Sequence, residues 1–265
     1  MDLGLRGKTA IVAAASQGLG KGVAHALAAE GANVVMFSRK PAAIEEAAKE
    51  VRAAAAERAQ VLGLTADVTR LADLERVVKT TIDTFDAIGI LFNNAGGPKP
   101  GFFDTLIDDD WHAAVDLNLM SAIRLTRLCL PHMRARHWGR IIVSTSSSVK
   151  QPIPNLILSN AVRSATTAWA KTLSDQVAHD GITVNCLAPG RIDTERVRQI
   201  DEDVAQREGR TREEVERDSM DRIPIRRYGR PDEFGAAAAF LASARAAYIT
   251  GVTLLVDGGL YRGTY

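Results

Sequence analysis

The stretch Thr9–Phe37, TAIVAAASQGLGKGVAHALAAEGANVVMF, decides the fold. It opens on an apolar run of strand length, turns at Gly18 and Gly20, continues with apolar residues at helical spacing as far as Ala29, and ends on a second apolar run, Asn33–Phe37. Strand, glycine turn, helix and strand in that order make a βαβ unit with its strands parallel. The glycines let backbone approach a pyrophosphate closely, and the opening of the helix offers it unpaired N–H groups and partial positive charge. Ser16, Gln17, Gly18, Leu19 and Gly20 are the residues that would cradle such a group.

Outward from this unit the same alternation repeats. Val/Ile/Leu-rich runs predict strands at Thr9–Ala13, Asn33–Phe37, Gln60–Leu64, Ile88–Phe92, Arg140–Ser144, Thr183–Leu187 and Thr253–Val256. Helical spacing predicts helices at Gly18–Ala29, Pro41–Arg58, Leu71–Thr84, Trp111–Arg136, Leu158–His179 and Pro231–Ala242. Strands that are apolar throughout belong to a sheet covered on both faces. The expected fold class is α/β: one Rossmann-like doubly wound parallel sheet of about seven strands, with helices on both faces, in a single domain spanning 1–265. Arg191–Arg222, crowded with charge of both signs, reads as a lid inserted after the sixth strand. Within it Val197, Ile200 and Val204 keep a helical spacing, and Thr211 with Glu214 has the pattern of a capping box.

Composition narrows the partner. A formal net charge of +1, with Lys and Arg scattered among acids, provides no footprint for nucleic acid or an anionic membrane surface. No apolar run approaches the ~20 residues that span a bilayer, and the first residues lead straight into a strand, so a cytoplasmic protein with a small-molecule substrate is expected. Cys129 and Cys186 lie in separate apolar runs and read as buried small hydrophobes; no metal-ligand spacing is present.

In open α/β sheets ligands bind outside the carboxyl ends of the strands. There the second strand runs into Ser38-Arg39-Lys40, the third into Asp67-Val68 and the fourth into Asn93-Asn94-Ala95-Gly96. An acid near position 38 would take the ribose hydroxyls of NAD, whereas Arg39 and Lys40 suit a 2′-phosphate, so NADP(H) is favoured over NAD(H). Taken singly, the asparagine segment also reads as a turn and Asp67 as a helix cap.

Together with Asn118 in DLNLM, GRIIVSTSS at 139–147, ITVNCLAPGRIDT at 182–194 and YITGVTLLVDGG at 248–259, these residues follow the order and spacing of the short-chain dehydrogenase/reductase family, which the chain resembles over nearly its whole length. Its 3-oxoacyl-carrier-protein reductases look nearest. The resemblance implies NAD(P)(H) chemistry on a carbonyl or secondary alcohol, and assembly as a homodimer or homotetramer. It implies that Asn94, Ala95 and Gly96 border the cofactor, that Ile192 and Thr194 after Pro189-Gly190 meet the nicotinamide carboxamide, that Asn118 holds a relay water, and that Ser146 orients the substrate carbonyl.

The departures bear on chemistry. The family's Thr-Gly at the glycine turn is Ala13-Ala14, and its Tyr-x-x-x-Lys pair falls on Ser159 and Arg163. Four residues apart on a helix, these two share a face directed at the cofactor. A tyrosine, pKa ~10, is readily tuned toward neutrality, while an aliphatic alcohol starts far higher and an arginine stays charged. Lys150, in the loop after Ser146, is a substitute acid if desolvated, or else a solvent-exposed loop lysine; Arg191 would hold a substrate carboxylate or phosphate, or form a lid salt bridge. Tyr228, Tyr248, Tyr261 and Tyr265 all lie in C-terminal segments, and the five histidines lie on predicted helices. The leading reading is an NADP(H)-dependent oxidoreductase with an atypical proton donor, Lys150 or a water held by Ser146, Ser159 and Asn118. The others are a non-redox lyase on the same scaffold and a silent nucleotide-binding subunit.

Overall fold

The computed structural model describes residues 1–264. Seven strands, β1 (Thr9–Ala13), β2 (Asn33–Ser38), β3 (Val61–Thr65), β4 (Ile90–Asn93), β5 (Gly139–Ser144), β6 (Ile182–Pro189) and β7 (Thr253–Val256), form one parallel sheet in the order β3-β2-β1-β4-β5-β6-β7. Every residue of β1 and β5 is buried, as runs apolar on both faces require. The order reverses between β1 and β4, which pair Ala10↔Ile90, Ile11↔Leu91 and Val12↔Phe92. A crevice therefore opens at the carboxyl ends of these two strands, because the connections leaving them go to opposite sides.

The helices are α1 (Gly18–Ala29), α2 (Pro41–Ala53), α3 (Leu71–Phe85), α4 (Asp108–Val115), α5 (Ser121–Ala135), α6 (Ile157–Val177), α7 (Glu195–Glu208), α8 (Arg212–Arg222) and α9 (Pro231–Ala242). On one face Val23, Leu27, Ile44 and Phe234, from α1, α2 and α9, meet Val12, Met36 and Phe92 of the sheet. On the other, Leu74, Leu125, Met133 and Val177, from α3, α5 and α6, meet Ile11, Val35, Leu91 and Ile141. Trp169 belongs to this second cluster. Cys129 and Cys186 are free and buried, and burial pushes both thiols up. Among the described residues no helix is long and apolar enough to cross a membrane.

Two elements differ from expectation. The second helix stops at Ala53 rather than Arg58, because the chain must turn back toward β3: the Ala56 N–H donates to Ala28 O, and Arg58 takes φ +71°. The helix expected over Trp111–Arg136 starts earlier, at Asp108, where three aspartates in its first turn complement the helix dipole. It is also broken into α4 and α5 by a π-helical turn at Asp116–Met120. The charged segment after β6 forms two helices, with Gly209 left-handed at φ +63° between them and the capping box in place: Thr211 Oγ1 accepts from Glu214 N at 3.2 Å, and Glu214 Oε2 from Thr211 N at 2.9 Å.

Candidate active site

At the end of β1 the chain passes through Ala14 at φ +50° and Gly18 at φ +55° into α1. The N-cap residue Gln17 makes no side-chain cap, and no acid occupies the first turn, so the opening N–H groups stay available to an anion. A Cβ on Gly20 would run into the Ala14 carbonyl, while one on Gly18 would stand 3.2 Å from Thr194 Cγ2. The lid thus begins directly over the glycine turn. At the end of β2, Ser38 is buried with its Oγ unpartnered, and Arg39 and Lys40 are exposed without ion pairs among the described residues. These features fit a dinucleotide carrying an anionic group at its ribose: a helix start free of competing side chains, a cradle too tight for a Cβ, an orphaned hydroxyl and two uncommitted cations.

Asp67 and Val68 follow β3. The Asp67 Oδ1 accepts from Thr69 N at 2.9 Å and Thr69 Oγ1 at 2.8 Å, the bonding of a turn cap. After β4, Asn93 is buried and donates to Thr126 Oγ1, while Asn94 Nδ2 reaches back to the carbonyls of Ala13 and Ala14 at 3.4 and 3.5 Å. Asn94 thereby ties this loop, with Ala95 and Gly96, to the glycine turn.

Asn118 lies in the π turn. Its Nδ2 donates to Gly96 O at 3.0 Å, and its Oδ1 is buried without a partner. A π turn widens the backbone ladder by one residue and swings a side chain that a regular helix would place elsewhere. From β5, Ser146 Oγ accepts from Ser148 N at 3.1 Å, at the start of a short 3-10 turn, and Ser148 is buried with its own Oγ unpartnered. Ser159 and Arg163, on α6, are buried at 6% and 8% exposure. Arg163 donates to Ser144 O at 2.9 Å and, with Asn94, Ala95, Asn118 and Ser144, lines a small cavity. Burial, and secondarily the charge of Arg196, pushes its guanidinium down to about 10.

The remaining candidates separate. Lys150 is exposed at the end of the 3-10 turn and enters no ion pair among the described residues. Gly190, after Pro189, donates to Val256 O at 2.9 Å; Ile192 is buried and bridged to Gly229; and Thr194 caps α7 by accepting from Val197 N at 3.4 Å. Arg191 pairs with the buried Asp201, which also accepts from the Tyr228 hydroxyl at 2.8 Å. Burial drives Tyr228 up to about 12, away from the range of a useful acid. This cluster borders a concavity of about 310 Å³ lined by Asp193, Arg198, Asp201, Arg212, Glu216 and Tyr228, of which Arg198 pairs with Asp193. Tyr248 is exposed, and Tyr265 lies outside the described residues.

Sequence reasoning missed Arg196. It is half-buried at the start of α7, donates to Pro98 O at 3.0 Å, and lies against Gly97. A cation in the first turn of a helix opposes the dipole, and that local misfit was its available signal.

Comparison with known proteins agrees with this architecture. A family model described as enoyl-(acyl carrier protein) reductase matches residues 13–261. The chain is 35% identical over 261 residues to the 3-oxoacyl-[acyl-carrier-protein] reductase FabG of Salmonella typhimurium, covering 98% of this chain and 99% of that one. It is 34% identical over 256 residues to dehydrogenase/reductase SDR family member 4 of Oryctolagus cuniculus, covering 96% and 94%. Among solved structures, L-sorbose reductase from Gluconobacter frateurii, complexed with NADPH and L-sorbose, superposes with a TM-score of 0.93 at 32% identity, covering 99% and 100%.

Proposed function

Because the chain belongs to the short-chain dehydrogenase/reductase family, we propose that it is an NADP(H)-dependent oxidoreductase interconverting a small-molecule carbonyl and secondary alcohol, with a water-borne proton in place of a tyrosine's. The bound nucleotide supplies or accepts the hydride. The N–H groups of Gly18–Gly20 hold its diphosphate, Arg39 and Lys40 its 2′-phosphate, and Ile192 and Thr194 its carboxamide. The NADPH bound by the sorbose enzyme supports that cofactor choice.

The observation that carries the reading is the buried, unpartnered Asn118 Oδ1 beside Arg163 in the crevice. A buried acceptor without a partner is costly, and a water answers it. Ser146 orients the substrate carbonyl, and a water held by Asn118 and Ser159 passes a proton to the oxygen as hydride reaches the carbon. Arg163, still cationic at neutral pH, stabilises the developing alkoxide. Lys150 is the alternative donor, but its exposure removes the desolvation that would prepare it. In this reading Ser159 and Arg163 stand where the family's tyrosine and lysine act, so ordinary ketones are reduced slowly.

The test is single-turnover NADPH oxidation with a carbonyl panel. Positioned acid catalysis contributes ~100- to 10,000-fold, so Ser159→Tyr with Arg163→Lys should accelerate ketone reduction by at least ~10-fold. Lys150→Ala should leave the native rate within about twofold; its loss would make Lys150 the donor. If no carbonyl consumes NADPH with either protein, a non-redox or silent role replaces this one. We further propose a cytoplasmic homodimer or homotetramer.

A further inference from the structure

Arg163 and Arg196 have no carboxylate within 4.0 Å among the described residues, whereas Arg191, Arg198 and Arg210 are all paired. Arg163 is buried and Arg196 half-buried, and each spends its fork of donors on one hydrogen bond, to Ser144 O and Pro98 O respectively. Unspent donors on a desolvated cation are expensive unless a ligand completes them. Arg196 is doubly misplaced, since it stands in the first turn of α7, where the helix dipole repels it.

The surroundings locate what would complete them. Arg163 lines the small cavity with Asn94 and Asn118. Arg196 covers Gly97 and Pro98, the continuation of the same loop, whose Gly96 is held by Asn118. The Arg196 charge lies close enough to disfavour that of Arg163. Two cations without ion pairs, set against neighbouring stretches of the loop 94–98, attract an anion, and planar forks match a carboxylate.

We propose that Arg196, with Arg163 behind it, holds a carboxylate carried by the substrate, so that the enzyme acts on oxo acids rather than neutral ketones. This deepens the oxidoreductase reading and rests on it for the word substrate. Arg191, engaged by Asp201, is not the residue that takes the acid.

The test is calorimetric titration of the NADP+-loaded protein, which carries no hydride to transfer, or of the free protein should NADP+ not bind, with a panel of 2-, 3- and 4-oxo carboxylates and their methyl esters. At least one acid should bind ~10-fold or more tightly than its ester, as a charge-assisted bidentate pair implies. Arg196→Met should erase that preference, Arg196→Lys should restore part of it, and NADPH affinity should change less than about twofold in both. The proposal is overturned if acids and esters bind alike, if none binds, if Arg196→Met keeps the preference, or if it weakens NADPH as much as the acid, which would assign the charge to the cofactor's phosphates. Binding is read without turnover, so a clear acid preference with no hydride transfer would reject the oxidoreductase reading while leaving the anion site standing.

Discussion

Ala14 occupies φ +50°, a conformation that costs a residue with a Cβ about 1–2 kcal/mol. Replacing alanine by glycine ordinarily loses ~0.5–1 kcal/mol through backbone entropy. At this position the relief offsets the loss, and Ala14→Gly should leave stability unchanged or raise it by up to about 1 kcal/mol, measured by urea unfolding. A loss larger than 1 kcal/mol would contradict that account. At the end of β2, NADPH should bind more tightly than NADH, and Arg39→Asp should weaken NADPH ~10- to 100-fold, the worth of a charge-assisted phosphate contact, in fluorescence titrations; equal affinities in the native protein would remove the argument. Gly18, Ser38 and Asn94 could be found in the sequence because they follow apolar runs at the spacing a crevice requires, and Asn118 through the family resemblance. The outcome at Asp67 and at Arg191, each of which has two readings in the sequence, could not: the local cap on Thr69 and the pairing with Asp201 are set by the folded chain.

At the level of elements, the π turn at Asp116–Met120 shows what periodicity hides. Inserting one residue into the hydrogen-bond ladder leaves the apolar spacing readable as one helix across Trp111–Arg136, yet it sets where Asn118 lies. The start of α9 is more legible, with Pro231 in the first turn and Glu233 three residues after Arg230. Glu233 accepts from Arg230 N at 2.7 Å and pairs with Arg227 at 2.6 and 2.8 Å. Its carboxyl is held down to about 2, chiefly by the Arg227 hydrogen bond and then by the Arg230 N–H. The folded value lies below the unfolded one, so the stabilisation is complete above the ordinary carboxylate range and is lost as pH falls toward 2. The group is only half-buried, and solvent screens the effect. Glu233→Gln should therefore lower the denaturation midpoint near neutrality and flatten its fall between pH 4.5 and 2; parallel pH profiles for the two proteins would refute the assignment.

For the whole molecule, seven largely apolar strands announce a parallel sheet, and the glycine turn after the first marks the edge where the site lies. The outer surface was less legible. Trp169, on α6, is partly buried against the second core cluster. The large exposed apolar residues include Phe240, Tyr248, Val252 and Leu254, around α9 and the edge strand β7. An open strand edge beside such residues invites a second copy. Sedimentation equilibrium at micromolar concentration should find a dimer or tetramer, and a monomer would refute the expectation.

The segment that carries α7 and α8 is closed upon itself at its neck. Gly229 N donates to Arg191 O at 2.9 Å and Asp193 N to Gly229 O at 2.8 Å, while Asp201 joins Arg191 on the way in to Tyr228 on the way out. The sheet therefore registers the width of that neck and the first residues over the glycine turn, and little of the helices beyond. Such an insert can drift, lengthen or be exchanged like a cassette, giving descendants of one scaffold new tastes while the machinery beneath keeps its shape.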